Sequence, residues 1–133
     1  DADLLDAVKA AGADRFIGQL PGGFDFPLTE RGRELSAGMR QALAVARALI
    51  AKPSILLLDE PTASLDAGTE QALVQSLDEA TKGITTIFVT HRGSMLQMAD
   101  RILVVEGGRI VANGPRDEVL GKLQGPAQAQ PTQ

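Results

Sequence analysis

An α/β fold in two portions, a helical one followed by part of a mainly parallel sheet, is predicted by three features of the 133-residue sequence. Residues 3–13 and 37–51 carry apolar side chains at helical spacing. Two short apolar runs, 55–58 and 84–90, follow. A further helix-patterned stretch at 67–81 separates those runs. Helices first, then strand, helix and strand, imply a small helical subdomain over 1–52 and a sheet with flanking helices over 53–123.

The elements can be justified in order. Leu4, Leu5, Val8 and Ala11 form the stripe of the first helix, and Gly12 together with Gln19-Leu20-Pro21-Gly22-Gly23 breaks it. Residues 24–35, with Pro27 and Gly32, read as irregular. Ser36 suits the N-cap of the next helix, whose expected apolar face is Met39, Leu43, Ala46 and Ile50, and Pro53 closes it. Ile55-Leu56-Leu57-Leu58 is wholly apolar and reads as a strand buried in a parallel sheet. Asp66 can cap the helix over 67–81, whose stripe is Leu73, Val74, Leu77 and Ala80. A second buried strand is expected at Ile84–Thr90 and a short helix at 94–99. Arg101–Glu106 and Arg109–Ala112 read as a hairpin turned by Gly107-Gly108. Val119, Leu120 and Leu123 mark a last short helix, and the Gln/Pro/Ala-rich tail 124–133 reads as disordered.

Composition narrows the class of function. Hydrophobic residues make up 44% of the chain and aromatics 3%, so the core is aliphatic. A net charge of −4 argues against a broad nucleic-acid or anionic-membrane surface. The absence of cysteine excludes disulfides and thiolate metal sites. No apolar run approaches the roughly 18 residues that span a bilayer. The sequence opens on Asp1 with a helix already under way, which reads as a piece of something longer.

Four stretches carry chemistry. Leu35-Ser36-Ala37-Gly38-Met39-Arg40-Gln41 sets a hydroxyl and a glycine at a helix start, where free N–H groups and the helix dipole favour phosphate. Ile55–Leu58 ends in Asp59-Glu60, which delivers two carboxylates to the C-terminal edge of a sheet, the edge where ligands sit in α/β folds. Ser64-Leu65-Asp66 follows at once, where Asp66 can serve as a helix cap as well as a site residue. His91, the single histidine, ends the second apolar strand in Val89-Thr90-His91-Arg92.

In order and spacing these stretches resemble the C-terminal part of an ATP-binding-cassette (ABC) ATPase domain, over nearly all the chain up to Leu123. Asp59-Glu60-Pro61-Thr62-Ala63-Ser64-Leu65-Asp66 is the most specific part of the match. The resemblance implies ATP and Mg²⁺ as cofactors and assigns roles residue by residue. Ser36 and Gly38 would contact the γ-phosphate of ATP held by a second ABC ATPase domain. Asp59 would hold Mg²⁺, and Glu60 would be the catalytic carboxylate. Asp66 would act across the dimer interface, and His91 would meet the γ-phosphate. Two positions depart from the usual LSGGQ signature, since Ala37 replaces the first glycine and Met39 the glutamine. A G-x-x-x-x-G-K-[ST] phosphate loop is absent, and the one Gly-Lys pair, Gly121-Lys122, is followed by Leu123. The chain alone is therefore expected not to hydrolyse ATP.

Leu20-Pro21-Gly22-Gly23-Phe24-Asp25 and Glu30-Arg31-Gly32 are similar to the LPxGxD and GERG segments of ABC exporters, with Thr29 in place of the glycine. Gly107-Gly108-Arg109-Ile110-Val111 and Gly114–Leu120 fit the same branch. This likeness implies an exporter that couples ATP hydrolysis to transport, nearest to the type I secretion transporters of proteins or peptides. Its partners would be a transmembrane domain and a second ATPase domain, with no nucleic acid, and its place would be the cytoplasmic face of the inner membrane. Two rivals stay open: a DNA-repair or chromosome ATPase, which would need heptad repeats that are not seen, and a non-catalytic remnant or regulatory fragment.

Overall fold

The computed structural model describes residues 2–123. The chain divides into two compact units, Asp1–Ser94 and Met95–Gln133. The expected 52/53 boundary lies inside the first unit, because the helices of 1–52 pack with the following strand and helix.

In the first unit, α1 (Ala2–Ala10) buries Ala7 and Val8, while Leu4 and Leu5 stay largely in solvent. Its end is a Schellman motif. Gly12, at φ +65°, donates to the Lys9 carbonyl (2.9 Å), and Ala13 N–H donates to the Val8 carbonyl (2.9 Å). A single helical turn, α2 (Asp14–Ile17), follows where no helix was expected. The 24–35 stretch is irregular as expected, with short 3₁₀ turns at Gly23–Asp25 and Glu30–Gly32.

Helix α3 (Ala37–Ile50) starts at the expected cap, where Met39 N–H donates to Ser36 Oγ (3.2 Å). Its buried stripe is Ala42, Val45, Ala46 and Leu49 rather than Met39, Leu43, Ala46 and Ile50. The segment is so rich in Ala, Leu and Val that two neighbouring stripes satisfy helical spacing, and packing against α1 and β1 selects the one with the smaller side chains.

Strands β1 (Ile55–Asp59) and β2 (Thr85–Val89) pair in parallel, Leu57 beside Ile87 and Asp59 beside Val89. Between them runs α4 (Ala67–Ala80), which buries Leu73, Val74 and Leu77. The expectation of strands buried on both faces is corrected. Leu56 and Leu58 are buried on one face of β1, whereas Ile55 and Leu57 on the other are 60% and 70% exposed. Within the described residues the helices supply cover for a single side of the pair. A short helix, α5 (Gly93–Leu96), spans the division between the units.

In the second unit, β3 (Arg101–Glu106) and β4 (Arg109–Pro115) form the expected antiparallel hairpin, with β4 three residues longer than anticipated. Gly107 and Gly108 both take positive φ (+55° and +74°), as a two-residue type I′ turn requires. Helix α6 (Arg116–Leu123) closes on the hairpin through Val119, which is buried and would touch a Cβ at Gly114. The tail expected to be disordered, 124–133, lies outside the described residues. Among the described residues no helix is long and apolar enough to cross a membrane.

Candidate functional site

The C-terminal end of β1 sets the geometry. Glu60 N–H donates to the Val89 carbonyl (2.9 Å), extending the strand pairing by one residue beyond Asp59. Glu60 then turns into the left-handed region at φ +45°. That conformation is costly for a residue with a Cβ, and it is doubly unusual before Pro61, since proline favours an extended predecessor. The turn lifts the Glu60 carboxylate toward the end of β2, where its Oε1 lies 2.7 Å from His91 Nδ1. A carboxylate can only accept, so Nδ1 carries the proton. The other oxygen, Oε2, is buried without a hydrogen-bond partner among the described residues. A buried carboxylate oxygen without a partner is uncommon and calls for a reason beyond folding.

The loop from Glu60 to Asp66 is clamped on two sides. From the segment after β2, Arg92 donates through Nη2 to the Ala63 carbonyl (2.9 Å) and through Nη1 to the Leu65 carbonyl (3.4 Å). The same guanidinium pairs with Glu70 of α4 at 2.5 Å. Glu70 is 6% exposed and also accepts from the Ser94 hydroxyl and from Thr62 Oγ1 (3.3 Å). Those partners, the Ser94 hydroxyl foremost and Arg92 next, hold its carboxyl below the usual glutamate range. From α3, the Gln41 carboxamide donates to the Glu60 carbonyl (2.5 Å) and accepts from Ser64 N–H (3.3 Å).

The helix starts lie on the other side of this loop. Ser36 caps α3. Asp66 caps α4, accepting from Thr69 N–H (3.0 Å) through Oδ1 and from Thr69 Oγ1 (2.7 Å) through Oδ2. The Thr69 hydroxyl and N–H hold its carboxyl below the ordinary aspartate value. A Cβ at Gly38 would come within 3.0 Å of Leu65 Cδ2, so glycine there lets the α3 start approach the loop. Ser36, Gly38, Ser64, Asp66 and Thr69 line one cavity of about 470 Å³, with Lys9 and Arg15 among the other lining residues.

Two groupings result. Glu60 and His91 meet at the strand ends, and Ser36, Gly38 and Asp66 gather around the cavity, with the 60–66 loop joining the two. Asp59 sits exposed at the end of β1. Its hard oxygen suits Mg²⁺, and no group of three or more His, Cys, Asp or Glu side chains is gathered among the described residues. An ion at Asp59 would thus complete its shell from phosphate and water, as Mg²⁺ commonly does. Sequence reasoning passed over Gln41, Thr62, Glu70, Arg92 and Ser94. One usable signal was Glu70, an acid on the helix face that also presents Leu73, Val74 and Leu77.

The ABC transporter family model matches residues 6–63, which include Ser36, Gly38, Asp59 and Glu60. Over 123 residues the chain is 44% identical to ABC transporter B family member 15 of Arabidopsis thaliana, covering 92% of this chain and 10% of that protein. It is 44% identical over 122 residues to an uncharacterized ABC transporter ATP-binding protein of Bacillus subtilis, YknV, covering 92% of this chain and 20% of that one. A bacterial Atm1-family ABC exporter, solved with ATP bound, superposes with a TM-score of 0.81 at 35% identity, over 98% of this chain and 24% of that one. The chain spans between about a tenth and a quarter of these relatives. It belongs to the ABC transporter family, as part of an exporter-type nucleotide-binding domain.

Proposed function

We propose that the whole protein hydrolyses ATP to drive export across a membrane, and that this chain supplies the catalytic carboxylate and the signature helix. The observation that carries the proposal is the Glu60 carboxylate, held by His91 on one oxygen and buried without a partner on the other. In this reading residues 1–52 present the signature and residues 53–123 the acidic strand end. The Glu60 carboxylate takes the proton of an attacking water, while the Nδ1–H of His91 orients it. Asp59 holds Mg²⁺, which when bound neutralises charge on the transferring phosphoryl group. Ser36 and Gly38 at the α3 start present N–H groups to a phosphate held by a second ATPase domain.

The same reading places the protein at the cytoplasmic face of the inner membrane, joined to a transmembrane domain. The likeness to an Atm1-family exporter supports an export direction. The finer assignment, a type I secretion transporter of proteins or peptides, rests on the sequence resemblance alone. The 133-residue chain by itself is expected to bind ATP no more tightly than weakly, because it carries no G-x-x-x-x-G-K-[ST] loop. Micromolar binding in calorimetry would contradict that.

The principal test is Glu60→Gln in the full-length transporter. The amide keeps the shape and loses the basicity, so kcat should fall by about 10²-fold or more. ATPase turnover at the wild-type rate would remove Glu60 from the mechanism.

A further inference from the structure

The catalytic carboxylate rests on a backbone that would not choose its own conformation. Glu60 is a β-carbon residue at φ +45° ahead of a proline, and conformations of this kind persist only where their surroundings over-determine them. One side chain bridges the turn that Glu60 opens. The Gln41 carboxamide donates to the Glu60 carbonyl at 2.5 Å and accepts from Ser64 N–H at 3.3 Å, while Ala63 N–H donates to that same Glu60 carbonyl at 3.1 Å. Gln41 is half-buried and stands five residues beyond the Ser36 cap, on the rigid first turns of α3.

We propose that Gln41 is a positioning residue for hydrolysis: its carboxamide holds the 60–64 turn so that the Glu60 carboxylate stays against His91. The inference rests on the hydrolytic role proposed for Glu60. Without the Nε2–H donor, the Glu60 carbonyl keeps only the longer bond from Ala63 N–H, and the turn is less firmly held against the extended conformation that Pro61 favours, which would carry the carboxylate away from the reacting water. The two arms of the carboxamide do different things. The donor fixes Glu60, and the acceptor fixes the far end of the turn at Ser64.

The test uses the full-length transporter with Gln41→Met, which keeps length and loses both arms, and Gln41→Glu, which keeps the acceptor and loses the donor. Both should lower kcat by about 10- to 100-fold with KM for ATP changed less than about twofold, since the misplaced group acts on chemistry rather than on nucleotide capture. Hydrogen exchange at Ser64 N–H should accelerate in Gln41→Met and stay slow in Gln41→Glu. Wild-type kcat in both variants, with turnover lost in Glu60→Gln, overturns the positioning role and leaves the Glu60 assignment standing. A fall in kcat matched by a rise in KM, or by faster exchange throughout α3, shows a merely structural residue and overturns the proposal equally. Wild-type turnover in Glu60→Gln removes both readings together.

Discussion

The strand end at Asp59-Glu60 and the helix starts at Ser36 and Asp66 are built from similar polar residues, yet their polar atoms are engaged differently. At the helix starts, Ser36 Oγ and both Asp66 oxygens bond to residues three positions along the chain. Those bonds would form in any capped helix and stabilise it by about 1 kcal/mol each. At the strand end, Glu60 reaches 31 residues along the chain to His91 with one oxygen, leaves the other buried and unpartnered among the described residues, and sits in a disfavoured backbone conformation. The fold gains little from such an arrangement. Helix-start residues can be kept for structure alone, whereas Glu60 calls for a chemical account.

The largest expected effect separates these two kinds of site. Glu60→Gln should abolish most turnover while leaving the unfolding free energy within about 0.5 kcal/mol of wild type, because the side chain is part-exposed, its pairing with His91 is exposed, and the amide keeps its shape. A marked loss of stability measured by urea unfolding of the nucleotide-binding domain would show that Glu60 is itself structural, and the contrast would collapse.

A second effect concerns the clamp between the two sites. Arg92→Met leaves Glu70 buried without its cation and frees the Ala63 and Leu65 carbonyls. Breaking a fully buried pair costs about 3–5 kcal/mol, and partial exposure of Arg92 lowers the expectation here to about 2–3 kcal/mol. The pair also predicts a pH dependence. The Glu70 carboxyl titrates below its ordinary value of 4.5, so its stabilisation is complete above that pH and is lost as pH falls through the lower folded value. Urea unfolding should show wild type and Glu70→Gln differing most near neutral pH and converging below 4.5. A difference that stays constant into acid would mean that Glu70 acts through packing and not through charge.

The clamp also marks where the sequence stopped being legible. Ser36, Asp66 and the Gly107-Gly108 turn were readable because a cap or a two-residue turn is determined by neighbours within four positions. The two strands were readable as apolar runs, but not that one face of the pair stays exposed, since cover comes from residues distant in the chain. Glu60 and His91 were readable through the family motif. Gln41, Glu70 and Arg92 were not, because their partners lie 19 to 29 residues away and each looked like an ordinary helix or loop residue by itself. The α3 stripe was misplaced for the opposite reason, in that local spacing allowed two answers and tertiary packing chose between them.

The smallest expected effect bears on the helix-start side of the comparison, where Asp66 has a structural role already and a proposed functional one besides. Asn caps a helix about as well as Asp, so Asp66→Asn should stay within a few tenths of a kcal/mol of wild type, while Asp66→Ala should lose about 1 kcal/mol. The Asn variant keeps one oxygen for Thr69 N–H and discards the charge. If the carboxylate works across to a second ATPase domain, Asp66→Asn should lose ATPase activity in the full-length transporter nearly as much as Asp66→Ala does, despite its intact stability. If the Asn variant instead turns over at the wild-type rate, the cap is all that Asp66 contributes. The difference between the two regions would then be complete, with local hydrogen bonding accounting for one and chemistry for the other.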